Sequence, residues 1–139
     1  MNKIAFFYED TNFILPNIQQ TKAWIKAILK SEQFELEHIN YIFCSDKYLH
    51  SLNYEYLNHD TLTDIITFDY TEEYKIEGDI YISVDRVGEN SASFKTSFDQ
   101  EIKRVMAHGL LHMMGYSDKT DEDKTLMREK EDSCLSLHH

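Results

Sequence analysis

Glycine and proline are scarce in this chain, with four and one among 139 residues. That leaves no composition for a flexible linker, and no internal repeat or low-complexity tract interrupts the sequence, so a single domain over residues 1–139 is expected. Cysteine is limited to Cys44 and Cys134. Two distant thiols do not make a disulfide framework and suit the reduced residues of a cytosolic protein. No apolar run approaches the roughly 18–20 residues of a membrane span. The first ten residues turn acidic after a short apolar stretch, unlike a signal peptide. A soluble, cytoplasmic protein with no membrane partner is therefore expected. Positive charge is also short: 14 Lys and Arg stand against 25 Asp and Glu, for a net charge of -11. Such a field repels polyanions. DNA is not an expected partner, and an RNA substrate would need a metal ion, a local basic stripe or a protein partner to supply the attraction.

Apolar residues, by contrast, reach 42% and aromatics 13%, which excludes a disordered chain and provides for a real core. The segment up to Tyr8 has strand composition. Pro16 suits the first turn of a helix in which Ile18, Ile25, Ile28 and Leu29 recur at helical spacing, with Lys22, Lys26 and Lys30 toward water. Ile39, Tyr41 and Phe43 alternate as in a half-buried strand. Ser45 and Asp46 offer an N-cap for a helix that places Leu49, Leu52 and Tyr56 on one face. Residues 60–63 break it, and Ile65 to Phe68 reads as a buried strand. Gly78 precedes a strand over 79–84, and a short helix is predicted over 87–94. A long helix begins near Ser97, with Gln100 placed for a capping box, and Ile102, Val105, Met106 and Met113 lie along one side. Gly115 ends it. Residues 121–135 predict a last amphipathic helix with Leu126 and Met127, its acidic start favoured by the macrodipole. The expectation is an α+β domain: about four strands in a small mixed sheet, about five helices, and a metal site at the end of the long helix.

The chemistry concentrates in residues 107–118. His108 and His112 are four apart, so a helix projects both rings from one face, one turn apart. Two imidazoles so placed can reach one ion, as in zinc hydrolases. Gly115 allows a sharp exit, and the returning chain can present Asp118 as a third ligand. Three protein ligands with an open position suit a catalytic metal. The competing explanation is a pair of partly buried histidines bonded to nearby carboxylates.

The segment resembles the H-G-x-L-H-x-x-G-Y-x-H signature of the YbeY endoribonuclease (rRNA maturation factor) family: His108, Gly109, Leu111, His112, Gly115 and Tyr116 stand where the pattern asks. Leu52-Asn53, the block from Thr63 to Phe68, and Gly78-Asp79-Ile80 with Ser83 resemble the family's other blocks in order and spacing. The resemblance spans roughly residues 35 to 132. It implies one divalent ion, zinc-like, single-stranded RNA cleavage, and a role in small-subunit rRNA maturation and ribosome quality control. Two positions depart from the pattern. The family's third histidine falls at Asp118, which can either ligate the same metals or orient a ligand from behind. An added carboxylate makes harder metals such as Mn or Fe more competitive. Leu57 stands where the family carries an arginine suited to phosphate; His59 is the nearest residue that could compensate.

A zinc-peptidase helix places a glutamate directly after the first histidine. Here that position is Gly109, so a peptidase lacks its proton acceptor. No catalytic base is evident; Asp64 and Asp79, at strand ends, could approach the site or simply serve turns and caps. Arg86, Lys103, Arg104 and Arg128 could form a basic rim or belong to solvated helix faces. The tyrosines read as core and rim residues, Met113 and Met114 as packing, and His138 and His139 lie outside the site. The favoured reading is a metal-dependent endoribonuclease. The alternatives are a metal-stabilised, ribosome-associated binding module without turnover, and a metallohydrolase of another ester or amide.

Overall fold

A computed structural model of the chain describes residues 3–57 and 63–137, with the side chain of Leu57 left aside. Among them, four strands and five helices follow in the order β1 (Ile4–Glu9), α1 (Ile18–Ser31), β2 (Glu35–Cys44), α2 (Asp46–Leu57), β3 (Ile65–Asp69), β4 (Lys75–Ser83), α3 (Val84–Ser93), α4 (Phe98–Met113) and α5 (Asp121–Ser136). The strands form one sheet in the order β1-β2-β4-β3, parallel except for β3, which pairs antiparallel with β4 at the edge. The expected mixed α+β architecture is the one observed.

Alternation along the strands divides the sheet into two faces. Ile39, Tyr41 and Phe43 of β2 and Ile76, Ile80 and Ile82 of β4 are fully buried in the main core. Trp24, Ile25, Ile28 and Leu29 of α1 enter the same core, with Val105, Met106, Leu110 and Leu111 of α4 and Met127 of α5. Each large aliphatic side chain so buried stabilises the fold by about 1.5–3 kcal/mol before its entropy is counted. The opposite face carries a smaller cluster, in which Leu49 of α2 packs on Cys44 and Ile66, flanked by Leu52, Phe68 and Tyr81.

Two buried hydrogen bonds tie helices into this arrangement: the Tyr41 hydroxyl donates to the Met106 carbonyl at 3.0 Å, and Trp24 Nε1–H to the Cys134 carbonyl at 2.8 Å. Gly78 supplies clearance between α4 and the sheet. A Cβ there would lie 2.4 Å from the Phe68 carbonyl oxygen and 2.7 Å from the Met113 methyl.

Several local expectations are corrected. Pro16 lies outside α1, because Asn17 takes a left-handed conformation (φ 55°) as N-cap and the helix starts at Ile18. Lys22 is half-buried, unlike Lys26 and Lys30. Tyr56 is exposed, so the inward face of α2 is made by buried Leu49 and Asn53, with Leu52 partly covered. The edge strand β3 is only half-buried, with Ile66 its one buried side chain. β4 begins before Gly78, at Lys75, and ends at Ser83, whose hydroxyl accepts the Arg86 N–H at 3.1 Å; this cap draws Val84 into α3. Ser97 caps α4 by accepting the Gln100 N–H at 3.0 Å. Leu126 is exposed, and Met127 carries the α5 contact. His59 and residues 60–62 lie outside the described residues.

Candidate functional site

α4 ends as Gly115 requires. Its φ is +102°, its N–H bonds the His112 carbonyl at 3.0 Å, and the Tyr116 N–H reaches back to the Leu111 carbonyl at 3.0 Å. These two bonds make a Schellman motif, which a residue with a Cβ enters only with strain. The chain therefore reverses at once and returns Asp118 over the last turns of the helix. Thr120 then starts α5 with a reciprocal capping box to Asp123.

The reversal brings together the three residues singled out by their spacing. His108 and His112 face each other with ring centroids 4.6 Å apart. Asp118 Oδ2 lies 3.5 Å from His108 Nε2 and 3.4 Å from His112 Nε2. All three side chains are half-buried, and their potential ligand atoms lie within 4.8 Å of one another. Tetrahedral coordination at about 2.0–2.1 Å requires donors about 3.3–3.4 Å apart, so this donor set could hold a divalent ion.

Sequence reasoning missed the residue behind the cluster. Glu131 of α5 is buried, and its Oε2 lies 2.7 Å from His108 Nδ1. A carboxylate there keeps the proton on Nδ1 and leaves the Nε2 lone pair facing Asp118 and His112. Glu131 is itself held by Arg104, whose guanidinium donates to Glu131 Oε1 at 3.0 Å and to Asp132 Oδ1 at 2.7 Å. Burial works against a charged His108, but the hydrogen bond and charge of Glu131, with Asp118 and Asp64 beyond, outweigh it and lift the imidazole above the ordinary histidine value.

Two clefts meet at the cluster. The larger, about 480 Å³, runs along β3 and is lined by Asp64, Thr67 and Asp69 beside both histidines and Asp118. The smaller, about 270 Å³, opens toward α5, where Lys124, Met127, Arg128 and Glu131 meet His108 and Asp118. Of the two carboxylates considered as a base, only Asp64 lines either cleft. Asp79 faces the other side of the sheet, because its neighbours Gly78 and Ile80 face α4; it borders a groove with Tyr48 and Tyr81 and accepts a hydrogen bond from Asn40 at 2.9 Å. The basic rim dissolves in part: Arg86 pairs with Asp46, buried Lys103 with Asp99, and Arg104 with Glu131 and Asp132, leaving Arg128 at the cleft. Met113 is buried, and Met114 packs against the core, as read from the sequence. Tyr41 belongs to the core, while Tyr54, Tyr56, Tyr70 and Tyr74 are exposed.

Gly109 also has its reason. A Cβ at this position would lie 3.0–3.1 Å from Ile80 and Ile65, so the residue after the first histidine points at the sheet and not toward the cluster. Against this geometry, a profile of the Endoribonuclease YbeY family matches residues 7–138. The chain belongs to the Endoribonuclease YbeY family. An Endoribonuclease YbeY from Flavobacterium johnsoniae is 54% identical over 136 residues, covering 98% of this chain and 97% of the relative. One from Flavobacterium psychrophilum is 55% identical over 136 residues, covering 98% and 96%. The solution structure of a protein from Thermotoga maritima superposes with a TM-score of 0.66 at 27% identity, covering 95% of this chain and 87% of that one. Among the described residues, no helix is long and apolar enough to cross a membrane.

Proposed function

We propose that this member of the YbeY family is a metal-dependent endoribonuclease, hydrolysing phosphodiester bonds of single-stranded RNA during maturation of the small-subunit rRNA in the cytoplasm. The observation that carries this reading is the convergence of His108 Nε2, His112 Nε2 and Asp118 Oδ2 at 3.4–3.5 Å in a chain of that family. These three residues would hold one divalent ion, with zinc the expected occupant. When bound, such an ion polarises a phosphoryl oxygen and acidifies water.

The chain's own residues supply positioning and proton handling. Glu131 fixes the orientation and tautomer of His108, and Arg104 fixes Glu131. Asp118 adds a negative charge that two histidines alone lack. Asp64 is the carboxylate placed to accept a proton within the β3 cleft; it comes from the short lead-in to β3, where its backbone carbonyl accepts the Ser83 N–H at 3.0 Å and so fixes its position.

A peptidase reading fails at Gly109, which carries no carboxylate and faces Ile80 and Ile65 of the sheet. The test is cleavage of single-stranded RNA by metal-loaded wild type and by His112→Ala. Cleavage is expected from the wild type and loss of at least about a hundredfold from the variant. Equal cleavage by both would trace the activity to a contaminant and overturn the reading.

A further inference from the structure

We infer that Lys124 and Arg128, on α5, form the phosphate-binding side of the active cleft and take a backbone phosphate flanking the one that is cleaved. The inference rests on the endoribonuclease reading and adds to it where the polyanion lies.

The clefts on either side of the metal cluster differ in charge. Along β3 the polar lining is Thr63, Asp64, Thr67 and Asp69, with no lysine or arginine among the described residues. On the α5 side, Lys124 and Arg128 line the cleft with His108 and Asp118. They stand one helical turn apart, so both ammonium and guanidinium project along the same edge of α5, above the buried Met127 and Glu131.

These cations are also uncommitted. Arg104 is spent on Glu131 and Asp132, Lys103 on Asp99, and Lys130 on Glu32. Among the described residues, neither Lys124 nor Arg128 makes a side-chain hydrogen bond or an ion pair. Arg128 does exert a long-range pull on the buried Glu101 carboxyl; burial raises that group and Arg104 lowers it more strongly than Arg128 does. By sequence, Leu57 carries no charge and residues 58–62, Asn-His-Asp-Thr-Leu, include no lysine or arginine. In a chain of net charge -11, these two side chains put positive charge on the cleft beside the cluster. Arg128 offers the planar fork that suits phosphate oxygens, and Lys124 a mobile point charge.

The experiment measures anisotropy of a fluorescent, cleavage-resistant analogue of single-stranded RNA on the metal-loaded protein across a salt series. Arg128→Gln and Lys124→Gln should each weaken binding about three- to tenfold at low salt, and the double variant should flatten the log–log salt slope by about 0.7, the share of the one phosphate the pair holds. Arg128→Lys should recover part of the loss. Metal content and melting temperature should stay at wild-type values, which a structural role through Glu101 would not allow. Unchanged affinity and slope in the double variant, or no binding by the wild type, would overturn the inference. If the wild type binds with the expected slope yet cleaves nothing, the endoribonuclease reading falls and the phosphate clamp stands.

Discussion

Glu131 Oε2 and His108 Nδ1 lie 2.7 Å apart, joining a carboxylate from the last helix to the first histidine of the candidate metal site. The pair is buried on the Glu131 side and capped by Arg104, so rotating the imidazole or switching its tautomer would leave a buried carboxylate oxygen without its hydrogen bond.

Replacing that carboxylate should weaken the metal site without removing a ligand. Glu131→Gln is expected to lower divalent-metal affinity by about ten- to a hundredfold, measured by competition with a chromophoric chelator. Unchanged affinity would mean that Glu131 only packs α5 against α4.

The same pair gives the metal-free protein a pH dependence of definite sign. His108 is lifted above 6.5 in the fold, chiefly by Glu131 against the opposing effect of burial. A raised folded value means that the stabilisation is complete below 6.5 and is lost as pH rises through the folded value. Chelator-treated protein should therefore lose melting temperature over the interval above 6.5, and Glu131→Gln should abolish that part of the profile. Metal-loaded protein should respond in the opposite sense, because the ion competes with the proton at Nε2.

The histidine pair was legible because helical periodicity alone puts residues 108 and 112 on one face, and Asp118 because a glycine stop three residues before it forces the chain back. Glu131 was not, because it reaches the site through packing of α5 on α4 across 23 residues of sequence. A signal was nonetheless present: Met127, Glu131 and Cys134 form the buried stripe of α5, and a glutamate inside an apolar stripe asks for a partner. Parity could also have separated Asp64 from Asp79, since alternation of Ile80 and Ile82 toward the core turns Asp79 away. The extent of β4 misled for a local reason: Val84 continues the alternation, but the Ser83 cap takes it into a helix.

Packing between α4 and the sheet fixes where the histidines stand. Gly78→Ala would place a methyl 2.4 Å from the Phe68 carbonyl oxygen and 2.7 Å from the Met113 methyl, and Met113 directly follows His112. Destabilisation of about 1–3 kcal/mol is expected from overpacking, read by urea denaturation. Stability equal to wild type would show that α4 has slack against β4.

Whether His108, His112 and Asp118 together hold one divalent ion is decided by an anomalous-scattering map of metal-loaded crystals. A single peak is expected about 2.0–2.2 Å from His108 Nε2, His112 Nε2 and an Asp118 carboxylate oxygen. A peak bound elsewhere, or one that leaves either histidine or Asp118 out of contact, would contradict that expectation.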